Sequence, residues 1–172
     1  MTRPYNVFLA VFALALLALP VMTHAQTPKD LGQFGGWSTY SFQENGQNSC
    51  FMAAHPQKDE GAYKKRGDII ATITHRPAEK TRNTFSYATG YAYKVKSDVT
   101  VTIDGQKFTL FTDGETAWAP DQATDDALAK AIQQGSQMVV TGTSSRGTLT
   151  KDTFSLKGSG DAHAAISRAC GL

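Results

Sequence analysis

The chain has 172 residues, of which 17 are Lys or Arg, 15 are Asp or Glu and 41% are hydrophobic. A net charge of +2 gives no overall attraction to nucleic acid or to an anionic membrane, so we expect no nucleic-acid partner. The length suits one ordinary domain with a genuine core.

The first 25 residues have the pattern of a secretory signal peptide. Arg3 lies in a short start without acidic residues, an apolar run extends over residues 7–21, and residues 23–25 present a cleavage motif that ends at Ala25. An uncleaved anchor is the alternative, but the run is short for about 30 Å of hydrocarbon. We expect a mature chain without a transmembrane segment, located in the periplasm or the cell envelope, or secreted.

Short segments of period-two alternation follow a polar lead-in at residues 26–36, which we expect to be flexible. Residues 37–42 and 49–54 predict two strands, and Asn45-Gly46 between them is typical of a hairpin turn. Residues 55–66 are charged and contain Pro and Gly, which predicts an exposed loop.

The middle of the chain continues the strand pattern. Residues 68–75 alternate clearly, and Pro77 should end that strand because proline lacks a backbone donor. Residues 84–89 predict the next strand. Residues 99–111 give the best local signal, because Asp104-Gly105 stands between two alternating arms and predicts a tight hairpin. A second Asp-Gly pair leads into a short segment at residues 117–119.

Two helices interrupt the strands. Thr124 is the predicted cap of the first helix and Gly135 ends it, while Asp161 is the predicted cap of a short last helix. Residues 138–143 and 148–156 predict two more strands between the helices. About eight short strands with one inserted and one C-terminal helix predict an all-β fold, either an antiparallel sandwich or a barrel, in a single domain over residues 37–172.

Cys50 and Cys170 are the two cysteines of the chain. Export would place them in an oxidising compartment, where a disulfide is the default. A reactive thiol or a metal ligand is the alternative, but no C-x-x-C motif or Cys/His cluster supports either. The bridge would close a loop of about 120 residues and contribute on the order of 4–5 kcal/mol as an upper figure.

No motif for catalysis, for a metal or for a cofactor stands out, so we expect none of the three. The histidines that remain after cleavage are scattered without the spacing of a zinc site. Three acidic residues in adjacent turns match no calcium-binding loop, and turn formation explains them more simply. They are Asp104, Asp113 and Glu115.

The candidates for partner binding are turn residues. His75 and Arg76 lie at a strand end, and Ser144, Ser145 and Arg146 form a polar turn suited to an anion. Together with the loop at residues 55–66, these turns on a rigid strand framework predict a protein that binds an unidentified envelope or host-surface partner.

Two other functions remain open. The first is a small exported hydrolase, with a site assembled from Ser144, Ser145, His75 and an acid such as Asp113. Only tertiary proximity would create that site, because no nucleophile motif is present. The second is a structural stabiliser of the envelope without a discrete ligand.

Five segments carry a family resemblance, in the order THRPAEK at residues 74–80, FTLFTDG at 108–114, AWAP at 117–120, GTSSRGT at 142–148 and ACG at 169–171. After a signal peptide, they resemble the invasion-associated locus B protein family from about residue 37 to the end. The resemblance implies an exported protein of Gram-negative, chiefly alphaproteobacterial, cells and an immunoglobulin-like β-sandwich. It also implies a role in host-cell invasion or in the envelope, and no catalytic residues.

Overall fold

The computed structural model describes residues 27–172, which form β-strands and two α-helices. The predicted leader lies outside the described residues. The helices are α1 (Gln122–Gln134) and α2 (Ser159–Cys170). The strands are β1 (Lys29–Phe34), β2 (Trp37–Glu44), β3 (Gln47–Ala54), β4 (Lys58–Gly61), β5 (Ile70–Arg76), β6 (Thr81–Ala88), β7 (Val99–Ile103), β8 (Gln106–Asp113), β9 (Thr116–Trp118), β10 (Gln137–Thr143) and β11 (Leu149–Ser155).

The strands form two antiparallel layers that are joined through β8. Hydrogen bonding runs in the order β1-β2-β3-β5-β6-β9-β8-β7-β10-β11-β4. The first part of β8, Gln106 to Leu110, pairs with β7, and the last part, Phe111 to Asp113, pairs with β9. The first sheet is therefore β1, β2, β3, β5, β6 and β9, and the second is β8, β7, β10, β11 and β4. This confirms the predicted all-β fold, an antiparallel β-sandwich that is immunoglobulin-like in its two layers.

The two sheets face each other across the core. The Trp37 indole N–H of β2 donates to the carbonyl oxygen of Ser155 in β11 at 3.2 Å. The rings of Tyr87 and Phe154 meet edge to face with centroids 6.2 Å apart. Because alternate residues of a strand point to opposite faces, each strand contributes every second residue to this core. The largest of the fully buried apolar side chains include Trp37, Met52, Ile73, Phe85, Leu110, Met138 and Phe154.

Both helices cover part of the same inner face of the first sheet. Leu128 and Ile132 of α1 and Ile166 of α2 are fully buried. The Ser159 hydroxyl at the start of α2 donates to the Ile132 carbonyl oxygen at 2.6 Å, which ties the helices together.

The predicted disulfide is confirmed. It joins Cys50 in β3 to Cys170 at the end of α2, with Cα atoms 6.0 Å apart. The bridge fastens the last helix to an inner strand of the first sheet.

The predicted hairpin turns form as expected. Asn45 and Gly46 adopt φ angles of 51° and 75°, and Asp104 and Gly105 adopt 46° and 93°. These left-handed values explain why Asn, Asp and Gly occupy these positions. The Asp104 carboxylate also accepts hydrogen bonds from Ser136 and from the Gln137 N–H, so it anchors the neighbouring chain.

Four local predictions need correction. The lead-in at residues 26–36 contains strand β1, and the loop at 55–66 contains strand β4, which pairs with β11. Helix α1 is capped by Asp121, whose carboxylate accepts from the Thr124 N–H, and not by Thr124 itself. Helix α2 begins after Gly158, and Asp161 lies in its first turn.

Candidate functional site

A cleft of about 630 Å³ opens between three loop segments. It is lined by residues 62–67, by residues 90–92 and by residues 144–146 together with Thr148 and Thr150. We call it the Arg66 cleft. It brings the polar turn at Ser144, Ser145 and Arg146 next to the end of the loop at residues 55–66, so two of the three loops predicted to bind a partner meet here.

Main-chain contacts hold these three segments together. The Gly67 N–H donates to the Gly90 carbonyl oxygen at 2.9 Å, and the Ser145 N–H donates to the Ala92 carbonyl oxygen at 2.8 Å. Gly90 has φ +71°, and a Cβ on it would lie 2.9 Å from the Gly67 Cα. Glycine at position 90 thus permits both the backbone conformation and the close approach.

The floor of the cleft is a buried ion pair. Arg66 donates from both terminal nitrogens to the two carboxylate oxygens of Asp152 at 2.7 Å each. The side chains are only 4% and 1% exposed. Arg66 also donates to the carbonyl oxygen and the hydroxyl of Thr89, at 2.7 and 2.9 Å. The guanidinium, which comes from a loop, therefore links β11 of the second sheet to the end of β6 in the first.

Tyrosines surround this pair. The Arg66 guanidinium lies 5.4 Å from the Tyr63 ring centroid and 5.0 Å from that of Tyr91, which are cation–π distances. The Tyr87 hydroxyl donates to Asp152. Burial, together with the Asp152 charge, raises the pKa of Tyr87, so this phenol stays protonated and keeps donating.

The Asp152 pair also fixes the charge of Arg66. Burial alone would lower the pKa of Arg66, but its hydrogen bonds to the Asp152 carboxylate and the charge of that carboxylate outweigh burial and raise it. The guanidinium charge is thereby neutralised locally by Asp152 rather than offered to the cleft.

The other cations of the cleft have no such counterpart. Lys64, Lys65 and Arg146 are exposed, and none forms an ion pair with a carboxylate among residues 27–172. Within the same residues, no Asp or Glu lines the Arg66 cleft. An adjacent hollow of about 520 Å³ shares residues 63–67 with the cleft, and its lining does include Asp59 and Asp68. The Arg66 cleft is therefore the cationic one of the two.

The hydroxyls of the polar turn differ in role. Ser144 is buried, and its hydroxyl accepts from the Thr148 N–H at 3.1 Å, so it closes the turn. Ser145 is exposed. The Tyr91 hydroxyl and the Thr150 hydroxyl share a hydrogen bond of 2.6 Å deeper in the cleft. The wall thus presents hydroxyl groups beside the cations.

His75 and Arg76 lie apart from the Arg66 cleft, and the burial of His75 corrects its predicted place in an exposed binding turn. The His75 side chain faces the core and is 1% exposed, so it cannot touch a partner of the folded protein. Arg76 at the end of β5 pairs through Nε with Glu44 at the end of β2 at 2.9 Å, across the intervening strand β3. The hydrogen bond from Arg76 lowers the pKa of Glu44.

His75 belongs to a closed hydrogen-bond network between the first sheet and α2. The Asn83 backbone N–H donates to His75 Nδ1 at 3.0 Å, so the ring proton resides on Nε2, which lies 3.2 Å from the Ser167 hydroxyl. The Ser167 hydroxyl lies 3.4 Å from His163 Nδ1, and His163 Nε2 lies 2.8 Å from the Asn83 side-chain oxygen. Both histidines are satisfied as neutral rings.

Burial keeps these rings neutral. The pKa of His75 is lowered to about 4, mainly by burial and to a smaller extent by the nearby His163 and Arg82. Burial also lowers the pKa of His163. The network therefore connects α2 to the sheet beside the disulfide while both rings are uncharged.

The residues of the hydrolase alternative do not form a catalytic set. The side chain of His75 bonds to Ser167 and to the Asn83 N–H, whereas Ser144 bonds to Thr148. No hydrogen bond joins His75 to Ser144, Ser145 or Asp113 within the described part of the chain. In that part, no three His, Cys, Asp or Glu side chains are grouped as a metal site would require.

Asp152 and Tyr87 are the important residues that the sequence reasoning missed. A signal for Asp152 existed, because it shares the inward face of β11 with Thr150 and Phe154. A carboxylate at an inward position of a strand requires a cationic partner. The partner, Arg66, is 86 residues away, and nothing local points to it.

These features define a disulfide-bonded β-sandwich with a cationic cleft between its loops. Among residues 27–172, no helix is both long and apolar enough to span a bilayer. The family model described as "Invasion associated locus B (IalB) protein" matches residues 37–167. The chain therefore belongs to the invasion associated locus B family, which confirms the resemblance found in the sequence.

A solved structure supports the same fold. The chain is similar to the crystal structure of invasion associated protein b from Bartonella henselae, with a TM-score of 0.53 and 14% identity over 86% of this chain and 97% of that chain. No curated protein matched the chain significantly. Family membership and the disulfide agree with an extracytoplasmic protein.

Proposed function

We propose that this protein is an exported binding protein of the Gram-negative envelope that engages a partner through the Arg66 cleft. Export is supported by the leader pattern of residues 1–25 and by the disulfide. The periplasmic side of the envelope is the location we favour. The protein acts by binding, and chemistry on a substrate is not part of the proposal.

One observation carries the proposal. Three loop segments converge on a cleft of about 630 Å³ whose exposed cations have no carboxylate partner in the described chain. Cavities of this size are typical of ligand sites. The floor is held rigid by the Arg66–Asp152 pair, and a rigid floor lowers the entropy cost of binding.

A role in host-cell invasion is the family's name-giving property, and for this chain it is a second, more distant candidate. The partner would then belong to a host surface and meet the same cleft. The two candidates differ in where the partner is found and share the binding residues.

The test is crosslinking capture from the native envelope with the mature protein. Arg146→Ala should lower capture of a discrete partner at least several-fold, because it removes an exposed cation of the cleft without disturbing the core. Lys130→Ala is the matched control, since Lys130 is an exposed cation on α1. Equal capture by wild type, Arg146→Ala and the control would contradict the proposal that the partner binds at the Arg66 cleft.

A further inference from the structure

We propose that the Arg66 cleft recognises a phosphate group carried on a larger molecule. This inference rests on the proposed function and specifies the chemistry of its ligand. The same phosphate group occurs in a lipid headgroup and in a soluble phosphate ester. The proposal concerns recognition of this shared group.

The distribution of charge selects an anion. Lys64 and Lys65 stand on one segment of the cleft and Arg146 stands on another. Arg66 does not add to their charge, because Asp152 pairs with it in a bidentate geometry. Among residues 27–172, the lining holds three such cations and no carboxylate, which is more positive charge than a single carboxylate ligand would neutralise. A phosphate monoester, by contrast, carries a charge near −2 and three acceptor oxygens.

The donors also suit a phosphate. An arginine offers a planar fork for two oxygens of a phosphate, and lysines act as point charges beside it. The exposed Ser145 hydroxyl lies next to Arg146 in the chain. The backbone N–H groups of Lys64 and Lys65 make no hydrogen bond to another residue in the described range, so this segment has main-chain donors to spare.

The volume indicates that the phosphate is not alone. A cleft of about 630 Å³ is much larger than one phosphate, and its lining includes a wall formed by the Tyr91 ring, hydroxyls and the small residues Gly67, Gly90 and Ala92. This wall would contact an uncharged body attached to the phosphate. The cations therefore provide the anchor, and the wall provides the room for the rest of the ligand.

The experiment titrates the intact mature protein with three probes while NMR follows the amide signals of Gly67 and Gly90. The probes are glucose 1-phosphate, phosphatidylcholine vesicles containing phosphatidic acid, and acetate as the carboxylate comparison. We expect saturable shifts with glucose 1-phosphate or with the phosphatidic acid vesicles, and none with acetate at equal concentration. Saturation by the soluble ester assigns a soluble source, and saturation by the vesicles alone assigns a lipid source.

Variants separate recognition from general charge attraction. The double variant Lys64→Ala/Lys65→Ala and the single variant Arg146→Ala should each weaken binding by about tenfold or more, as expected for loss of charge-assisted hydrogen bonds. The control Lys107→Ala/Lys130→Ala removes the same charge as the double cleft variant, from exposed positions outside the cleft, and should bind as wild type does.

The inference is overturned if neither phosphate probe saturates, if acetate shifts the same amides equally, or if the control loses as much affinity as the cleft variants. Its failure is distinct from failure of the proposed function. Envelope capture that depends on Arg146 while no phosphate probe binds would leave the binding function standing with a different ligand.

Discussion

Arg66 and Asp152 form a bidentate ion pair between a loop and the inward face of β11, with both side chains almost completely buried. Two charges withdrawn from water need close geometry and further hydrogen bonds to be tolerated. Thr89 and Tyr87 supply those bonds from the first sheet. The pair therefore connects the two sheets at the point where the candidate site begins.

Breaking this pair on one side should be costly. Asp152→Ala leaves the Arg66 charge buried without a counterion, so the free energy of unfolding should fall by about 3–5 kcal/mol. Chemical denaturation measures the loss. The double variant Arg66→Met/Asp152→Leu removes both charges and should recover a large part of it. An Asp152→Ala protein within about 1 kcal/mol of wild type would show that the pair is not a structural element.

The disulfide should be recovered as one species from the exported protein. Mass mapping without reduction should give the peptides of Cys50 and Cys170 joined, as the structure shows. Replacing both cysteines by Ala should lower the free energy of unfolding by about 2–5 kcal/mol, because the bridge constrains a long loop of the unfolded chain. Two free thiols in envelope material would contradict this prediction.

Gly90 should tolerate substitution less well than a glycine of similar backbone conformation. Gly90 and Gly46 have φ angles of +71° and +75°, but a Cβ at position 46 meets nothing within 4 Å, whereas at position 90 it meets the Gly67 backbone. Gly46→Ala therefore reports backbone strain alone. We expect Gly90→Ala to lower the free energy of unfolding by about 1–3 kcal/mol more than Gly46→Ala does. Equal losses in thermal or chemical denaturation would mean that the cleft backbone adjusts freely.

The stability of the protein should depend on pH through His75. Its pKa is lowered from 6.5 to about 4 in the folded protein, mainly by burial, so the unfolded chain takes up a proton before the folded one does. The contribution of His75 is thus unchanged above pH 6.5 and becomes destabilising as the pH falls from 6.5 toward 4. The change reaches about 3 kcal/mol at its largest.

His75→Gln isolates this effect. Asp125 has a pKa raised to about 6 by burial, and its contribution has the opposite slope over part of the same range. Both proteins contain Asp125, so its contribution cancels when their free energies of unfolding are subtracted. As the pH falls from 6.5 to 4, the free energy of unfolding of wild type should fall relative to that of His75→Gln. A difference that stays constant over this range would mean that the His75 network does not exclude the proton.

Much of the fold follows from local patterns in the sequence. The hairpin of β7 and β8 was predicted because apolar and polar residues alternate on both sides of Asp104-Gly105. Strands β1 and β4 escaped prediction because both are edge strands, at opposite ends of the strand order, and bury few residues. Such a strand is held mainly by backbone hydrogen bonds to its one neighbour. Because few of its side chains are buried, its sequence shows little hydrophobic alternation.

The site was predictable only in part. The polar turn at Ser144, Ser145 and Arg146 was found from composition, and the structure brings it to the Arg66 cleft. The burial of Arg66 was not predictable, because its partner Asp152 is distant in the chain. His75 shares the inward face of β5 with Ala71 and Ile73, so alternation carried a signal for its burial, but nothing local points to its partner Ser167. From sequence alone, a charged or polar side chain at a loop or strand end is predicted to be exposed, unless the partner with which it pairs in the interior is known.

Partner binding at the Arg66 cleft is tested by placing a photo-crosslinking residue at Ser145, an exposed position on the wall of the cleft, in cells that export the protein. We expect a discrete crosslinked envelope species that disappears when Arg146→Ala or Lys64→Ala/Lys65→Ala is added, and no such species from the same residue placed at Lys130. Identical products from positions 145 and 130, or a product from 145 that persists in both cleft variants, would contradict it.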